Sequence, residues 1–161
     1  MNGSPNLMET PDLIKVPNLK KMVLEDCLNL HEIHPSTLVH NRLTLLNLKN
    51  CVNVKTLPSM FKMESLKVLI LFGCSKLKKI PEFGENMQHV LELYLGGTAI
   101  TKLLTSIGHL TDLVLLNVRD CLQSLMCLPS IIFNLKLLKD VNILGCSKLK
   151  RLPENVGNIE L

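Results

Sequence analysis

The sequence predicts an α/β solenoid, in which each turn of the chain contributes one short parallel strand and returns mostly through loops and 3₁₀ turns. The first observation behind this is the stretch 66–81, LKVLILFGCSKLKKIP, whose apolar residues follow neither a period of two nor a period of 3.6. The second is its return, since GCSKLKRLP at 145–153 matches GCSKLKKIP at 73–81. The third is composition: aromatic residues make up only 3%, and leucine dominates the apolar set.

The pattern L-x-x-L-x-L-x-x-C-x-x-L-x-x-I-P accounts for this spacing, and it is the unit of a leucine-rich repeat. Full turns begin at residues 19, 43, 66, 90, 113 and 138, residue 161 opens another, and residues 1–18 form a partial turn. These starts recur every ~24 residues, inside the range of this repeat class, and the two matching phrases lie three turns apart. We expect a single leucine-rich-repeat domain over 1–161, with a curved parallel sheet on its concave face.

Three apolar layers are predicted inside the coil. Side chains alternate across a strand, so the fourth and sixth residues of each turn point inward together. This first layer comprises Met22, Leu24, Leu46, Leu48, Leu69, Leu71, Leu93, Leu95, Leu116, Val118, Val141 and Ile143. A second layer follows the strands, from Leu30 and Ile33 in the first full turn to Leu149 and Leu152 in the sixth. A third lies in the outer segments: Leu38, Phe61, Phe83, Ile107, Leu110, Ile132, Leu135, Val156 and Ile159.

The eighth position of the turns forms a ladder of small side chains where the chain leaves the strand. Its members are Cys27, Cys51, Cys74, Thr98, Cys121 and Cys146. A small buried side chain with a weak donor suits this position, because it can face the backbone carbonyls of the turn. Since five of the six cysteines share one slot, we interpret them as equivalent structural positions, not disulfide partners, and expect a reducing compartment.

The strand residues that point away from the core line the concave face, where solenoids bind extended partners. Val68, Ile70, Phe72 and Tyr94 form a predicted apolar patch there, and exposed patches of this kind mark contact sites. The remaining predicted partner-binding residues are polar: Lys49, Arg119, Asn117 and Glu92. Lys49 and Arg119 flank the patch with positive charge, which tunes selectivity more than affinity.

Other functional classes find little support. The net charge of +4 does not by itself indicate nucleic acid or a membrane surface, and no apolar run is long enough for a transmembrane helix. The sequence contains no G-x-x-x-x-G-K-[ST], G-x-S-x-G or H-E-x-x-H motif. We therefore expect no catalytic residue, cofactor, metal, small-molecule substrate, nucleic acid or membrane partner.

Two alternatives stay open. A metal- or thiol-dependent enzyme would use residues from the set Cys27, His31, His34, His40, Cys121 and Cys127, although their spacing matches no known finger or redox motif. The second alternative concerns a basic stripe. It either faces an acidic partner or phosphate backbone, or simply keeps one side of the solenoid solvated. Its members are Lys76, Lys78 and Lys79, the matching Lys148, Lys150 and Arg151, and the nearby Lys55 and Lys102.

The motif, with phrases such as LNLKNC, LILFGCSKLKKIPE and NLKLLKDVNILGCSKLKRLPENVGNIE, resembles the repeats of plant intracellular immune receptors. It is most similar to those with an N-terminal Toll/interleukin-receptor-like domain, of the tobacco mosaic virus resistance protein N type. The N-x-L-x-G-x-I-P phrase of extracellular plant repeats is missing.

This resemblance implies a non-catalytic, cytoplasmic or also nuclear module, a fragment of a longer receptor, that contributes to effector recognition and autoinhibition. Its implied partners are a pathogen effector or host guardee and the nucleotide-binding domain of the parent. Nucleotide binding and NAD cleavage belong to that parent. The runner-up is a free-standing adaptor or ubiquitin-ligase substrate-recognition subunit.

Overall fold

The computed structural model describes residues 2–121 and 125–150, and its main feature is one parallel sheet of six short strands. In chain order the strands are β1 (Lys21–Val23), β2 (Leu45–Asn47), β3 (Met60–Phe61), β4 (Val68–Ile70), β5 (Glu82–Phe83), β6 (Glu92–Tyr94), β7 (Leu115–Asn117) and β8 (Asp140–Asn142). The six-stranded sheet has the order β1-β2-β4-β6-β7-β8, so each strand pairs with the strand of the next coil. This is the predicted leucine-rich-repeat solenoid.

The register of the sheet reproduces the spacing of the sequence. Lys21 pairs with Leu45, Leu45 with Val68, Val68 with Glu92, Glu92 with Leu115, and Leu115 with Asp140. Each of these offsets equals the step between the starts of the two turns concerned. The central residue of every strand in this sheet is buried. A register slip of one residue would move these apolar side chains to the solvent face, so their burial favours the observed register.

The core is one continuous column of aliphatic side chains. The first layer is buried from Met22 to Val141, and Ile143 is half-buried. In the second layer Leu57 and Leu149 are half-buried, while Leu30, Leu77 and their other described counterparts are buried. The third layer is buried wherever it is described. Leu152, Val156 and Ile159 lie outside the described residues.

The convex side consists of loops and three 3₁₀ helices, Pro35–Val39, Thr105–His109 and Ser130–Asn134, and no α-helix is present in residues 2–121 and 125–150. This agrees with the expectation from its short, proline-containing segments. A second sheet was not anticipated. In it β3 and β5 pair in parallel, and the rings of Phe61 and Phe83 stack with centroids 5.4 Å apart.

The residue before each ladder position adopts a left-handed backbone conformation. The six residues are Asp26, Asn50, Gly73, Gly97, Asp120 and Gly145, with φ between 58° and 76°. Glycine, asparagine and aspartate tolerate this region best. The coils meet closely here, since Asn50 Nδ2 donates to Asp26 Oδ1 at 2.9 Å. This column turns the chain sharply out of the sheet and points each ladder side chain toward the core.

Candidate protein-binding face

The solvent side of the six-stranded sheet, which we call the concave face, presents three rows of side chains. Each row contains one residue from every coil, because the strands are in register. The rows are Lys21, Leu45, Val68, Glu92, Leu115 and Asp140; then Val23, Asn47, Ile70, Tyr94, Asn117 and Asn142; then Glu25, Lys49, Phe72, Gly96, Arg119 and Leu144.

The predicted apolar patch lies at the centre of this face. Val68, Ile70, Phe72 and Tyr94 are all half-buried. Ile70 of β4 is directly opposite Tyr94 of β6, so the two side chains belong to neighbouring positions on one surface. The patch is therefore continuous across two coils and accessible from solvent.

Phe72, Gly96 and Arg119 form a stacked arrangement at one edge of the patch. The guanidinium carbon of Arg119 lies 5.1 Å from the centroid of the Phe72 ring, within the range of a cation–π contact. Gly96 makes this possible, because a Cβ atom there would approach Phe72 Cε2 and the Arg119 carbonyl oxygen to 2.8 Å. Gly96 was not among the predicted binding residues, although its place between Phe72 and Arg119 in the third row was the available signal.

Tyr94 and Glu92 form a polar unit beside the apolar patch. Tyr94 Oη donates to Glu92 Oε2 at 2.8 Å. Partial burial, followed by this hydrogen bond and the charge of Glu92, raises the pKa of Tyr94 to about 12. The phenol is therefore protonated at neutral pH and already oriented, which reduces the entropy lost when a partner contacts it.

The positive charges predicted to flank the patch are each matched by a carboxylate. Lys49 Nζ forms an ion pair with Glu25, and this hydrogen bond raises the pKa of Lys49. Arg119 Nε lies 3.1 Å from Asp120 Oδ2. Both pairs are solvent-accessible and therefore contribute little to stability. Each carboxylate does, however, offset the positive charge of its partner. The flanks are consequently less positive than the sequence suggested.

Asn117 has a structural partner in addition to its position on the concave face. Its Oδ1 accepts from the backbone N–H of Arg119 at 3.1 Å, and Asn47 and Asn142 make the same contact with Lys49 and Leu144. The side chain thus stabilises the end of its strand, as an asparagine commonly does in a turn.

The ladder cysteines join successive coils. The thiols of Cys51, Cys74 and Cys146 donate to the carbonyls of Leu24, Leu48 and Val118, each at 3.1 Å. Every one of these acceptors belongs to the preceding coil. Cys51 Sγ also lies 4.0 Å from the Lys49 carbonyl oxygen of its own coil, which is the kind of acceptor that the sequence suggested. Thr98 differs, because its hydroxyl donates to Leu95 of its own coil at 2.7 Å. The thiols of Cys51, Cys74 and Cys146 thus connect neighbouring coils.

Alkaline pH is expected to destabilise the fold through these thiols. Burial raises the pKa of Cys51 to about 11 and of Cys74 to about 12, from an ordinary value of 9.0. These thiols leave the free energy of unfolding unchanged well below pH 9 and lower it progressively from pH 9 to about 11 and 12, because over that interval the unfolded chain releases these protons while the folded chain retains them. At about 1.4 kcal/mol per pKa unit, the loss is on the order of several kcal/mol.

Urea unfolding followed by circular dichroism at pH 8, 9, 10 and 11 measures this slope. The matched variant Cys51→Ala with Cys74→Ala is less stable at pH 8 but should show a shallower decline above pH 9. Equal slopes in the two proteins would show that the ladder thiols do not titrate differently in the folded state.

The histidines considered for a metal site have separate hydrogen-bond partners. His31 Nδ1 contacts the Asn29 carbonyl at 3.1 Å, His34 Nδ1 contacts Ser36 Oγ at 2.8 Å, and His40 Nε2 contacts the Val16 carbonyl at 3.0 Å. Across residues 2–121 and 125–150 no three His, Cys, Asp or Glu side chains gather as metal ligands. Cys121 is buried whereas Cys127 is exposed.

Within the same described part, none of the helices has the length and apolar character needed to traverse a bilayer.

The parallel sheet of one strand per coil, the aliphatic column beneath it and the open concave face define a leucine-rich-repeat protein. A family model described as "Disease resistance protein RPS4B-like, leucine-rich repeats" matches residues 60–158. The chain therefore belongs to the leucine-rich-repeat family of RPS4B-like disease resistance proteins, as the resemblance in its motifs suggested.

Individual relatives are of the same kind. The chain is 35% identical to TMV resistance protein N of Nicotiana glutinosa, covering 99% of this chain and 14% of that protein. It is 41% identical to disease resistance protein RPS4B of Arabidopsis thaliana, covering 68% of this chain and 9% of the relative. The chain thus spans about a seventh or less of these relatives.

Among solved structures, the leucine-rich-repeat domain of the type III effector XopL aligns over 99% of this chain and 72% of its own, with 17% identity and a TM-score of 0.49.

Proposed function

We propose that this chain is a protein-interaction segment of an intracellular plant immune receptor and that its concave face contributes to effector recognition and autoinhibition. The observation that carries the proposal is the apolar patch on a face open to solvent. Surface of this kind is typical of contact sites, and Tyr, Phe and Arg are enriched at the energetic centres of interfaces. Membership of a disease resistance family supplies the biological setting.

The proposed partners are a pathogen effector or a host protein that the effector modifies, and at rest the nucleotide-binding domain of the parent. The proposal assigns no catalytic step to this segment. Its proposed location is the cytoplasm, with the nucleus as a second site. The ladder cysteines, which are thiols and not disulfides, agree with a reducing compartment.

Replacing Phe72 or Tyr94 by alanine in the full receptor should change signalling without unfolding the repeats. Loss of the ring removes apolar contact area from a partner, while the inward-facing residues of the same coils remain packed. We expect either cell death without a pathogen, if the face holds the receptor closed, or a lost response to the pathogen. Transient expression in leaves, scored by ion leakage, measures both.

Lys67→Ala is the matched control, because this exposed residue directly precedes β4 and lies outside the patch. Unchanged resting and induced responses for Phe72→Ala would contradict the proposal. Unfolding of this variant would instead show that Phe72 belongs to the core.

A free-standing adaptor remains the second candidate. The genomic sequence upstream of codon 1 discriminates the two, because a receptor requires a nucleotide-binding domain in the same reading frame and an adaptor does not.

A further inference from the structure

An open groove of about 850 Å³ lies between the coils that begin at residues 43 and 66, on the segments that follow the ladder. Four of the side chains lining it are lysines: Lys55, Lys76, Lys78 and Lys79. The groove shares no residue with the concave face. It therefore requires its own explanation.

The lysines lack the carboxylate partners that would neutralise them. No Asp or Glu in the described part of the chain lies within 4 Å of any of these four ammonium groups. Lys76 donates to Asn53 Oδ1, which fixes its position without removing its charge. The groove therefore carries a concentrated positive charge.

Two of the lysines occupy equivalent positions in adjacent coils. Lys55 and Lys78 each take the fourth position after a ladder cysteine, and their separation along the chain equals the offset that pairs Leu46 with Leu69. Like charges on neighbouring strands and coils repel one another. A bound anion would relieve this repulsion, so the charge of the groove favours the binding of negatively charged groups.

The floor of the groove is apolar. Ile80 is only 6% exposed, Pro81 is also buried, and Leu57 is half-buried. No aromatic side chain lines it, so it offers no platform on which a nucleic-acid base would stack. An apolar floor between cationic walls suits a chain that alternates acidic and aliphatic side chains.

We propose that this groove binds an acidic, extended segment of a partner protein, with carboxylates at the lysine ammonium groups and an aliphatic side chain against Leu57, Ile80 and Pro81. The assignment does not depend on the concave face. It also assigns a role in binding to those lysines of the basic stripe that line this groove.

A fluorescein-labelled peptide of sequence DLEELD tests the proposal by fluorescence anisotropy with the purified chain. Lys55→Gln with Lys78→Gln and Lys79→Gln should weaken its binding by about tenfold or more, since three charge contacts are lost. Binding should also weaken as salt rises from about 20 to about 200 mM, because these contacts are exposed. The peptides NLQQLN and DSEESD, which lack the charges or the aliphatic groups, should both bind less tightly.

The matched control is Lys20→Gln with Lys67→Gln and Lys139→Gln. These exposed residues each precede a strand and lie outside the groove, so the same net charge is removed while binding should change by less than about twofold. Equal loss in both triple variants, or no binding of DLEELD by the unmodified chain, would overturn the proposal.

Two other probes decide between classes of partner. Tighter binding of single-stranded polyuridylate, or of vesicles containing phosphatidylserine, than of DLEELD would also overturn the assignment if that binding is lost in the groove variant. Phe72→Ala should leave peptide binding unchanged, so failure at the groove and failure at the concave face are distinguishable.

Discussion

Replacing Leu69 by alanine is expected to lower the free energy of unfolding by about 2–5 kcal/mol, the range for truncating a fully buried leucine. Leu69 is 0% exposed and lies at the centre of β4, directly between Leu46 of β2 and Leu93 of β6. The cavity would therefore open between three coils at once. Urea denaturation monitored by circular dichroism measures the change.

Val68→Ala in the same strand is the matched control. Val68 is half-buried on the concave face, so its truncation should cost less than about 1 kcal/mol. If the two variants lost equal stability, the inward and outward assignment of β4 would be wrong. Because each coil stabilises its neighbours in a solenoid, the Leu69 variant should also lose cooperativity, seen as a broader transition.

The second large effect is expected for Gly73→Ala. Gly73 has φ of 76°, and a Cβ atom there would lie 2.3 Å from Asn50 Oδ1 and 3.4 Å from Asn50 Cα. The left-handed conformation alone costs alanine about 1–2 kcal/mol. Displacing Asn50 would in addition weaken its bond to Asp26, so we expect a total loss of about 2–4 kcal/mol in urea denaturation.

Gly3→Ala separates the two contributions, because Gly3 has φ of 61° and nothing within 4 Å of the added Cβ. It should show only the conformational cost. Asn50→Gly combined with Gly73→Ala should recover part of the loss, since glycine tolerates the φ of 58° at position 50 and removes the obstructing side chain. Equal losses for Gly3→Ala and Gly73→Ala would mean that the coils relax apart freely.

The register of the sheet was predictable from the sequence because the step between turns is itself the register. Once Leu46 and Leu69 were recognised as equivalent, their pairing and the outward direction of Val68 and Ile70 followed from strand alternation. The patch on the concave face was derived in the same way. Its role in binding remains a proposal.

Features that depend on side-chain conformation were not predictable. The pairing of Lys49 with Glu25 and of Arg119 with Asp120 depends on flexible side chains choosing among several neighbours. The hydrogen bonds from the thiols to carbonyls of the preceding coil depend on the distance between coils, which the amino-acid sequence does not specify directly. The left-handed column could have been found, since Asp26, Asn50 and Gly73 share a conformational tendency although they are different residues.

Pairing only between adjacent coils has a consequence for how the gene can change. The phrase GCSKLK occurs at 73–78 and again at 145–150, three coils apart. Unequal recombination between these two stretches could duplicate three whole coils, and β8 would then lie beside a second copy of β6 at the offset that now separates β4 from β6. The concave face can therefore be lengthened in one genetic event while the hydrogen bonds between strands keep their register.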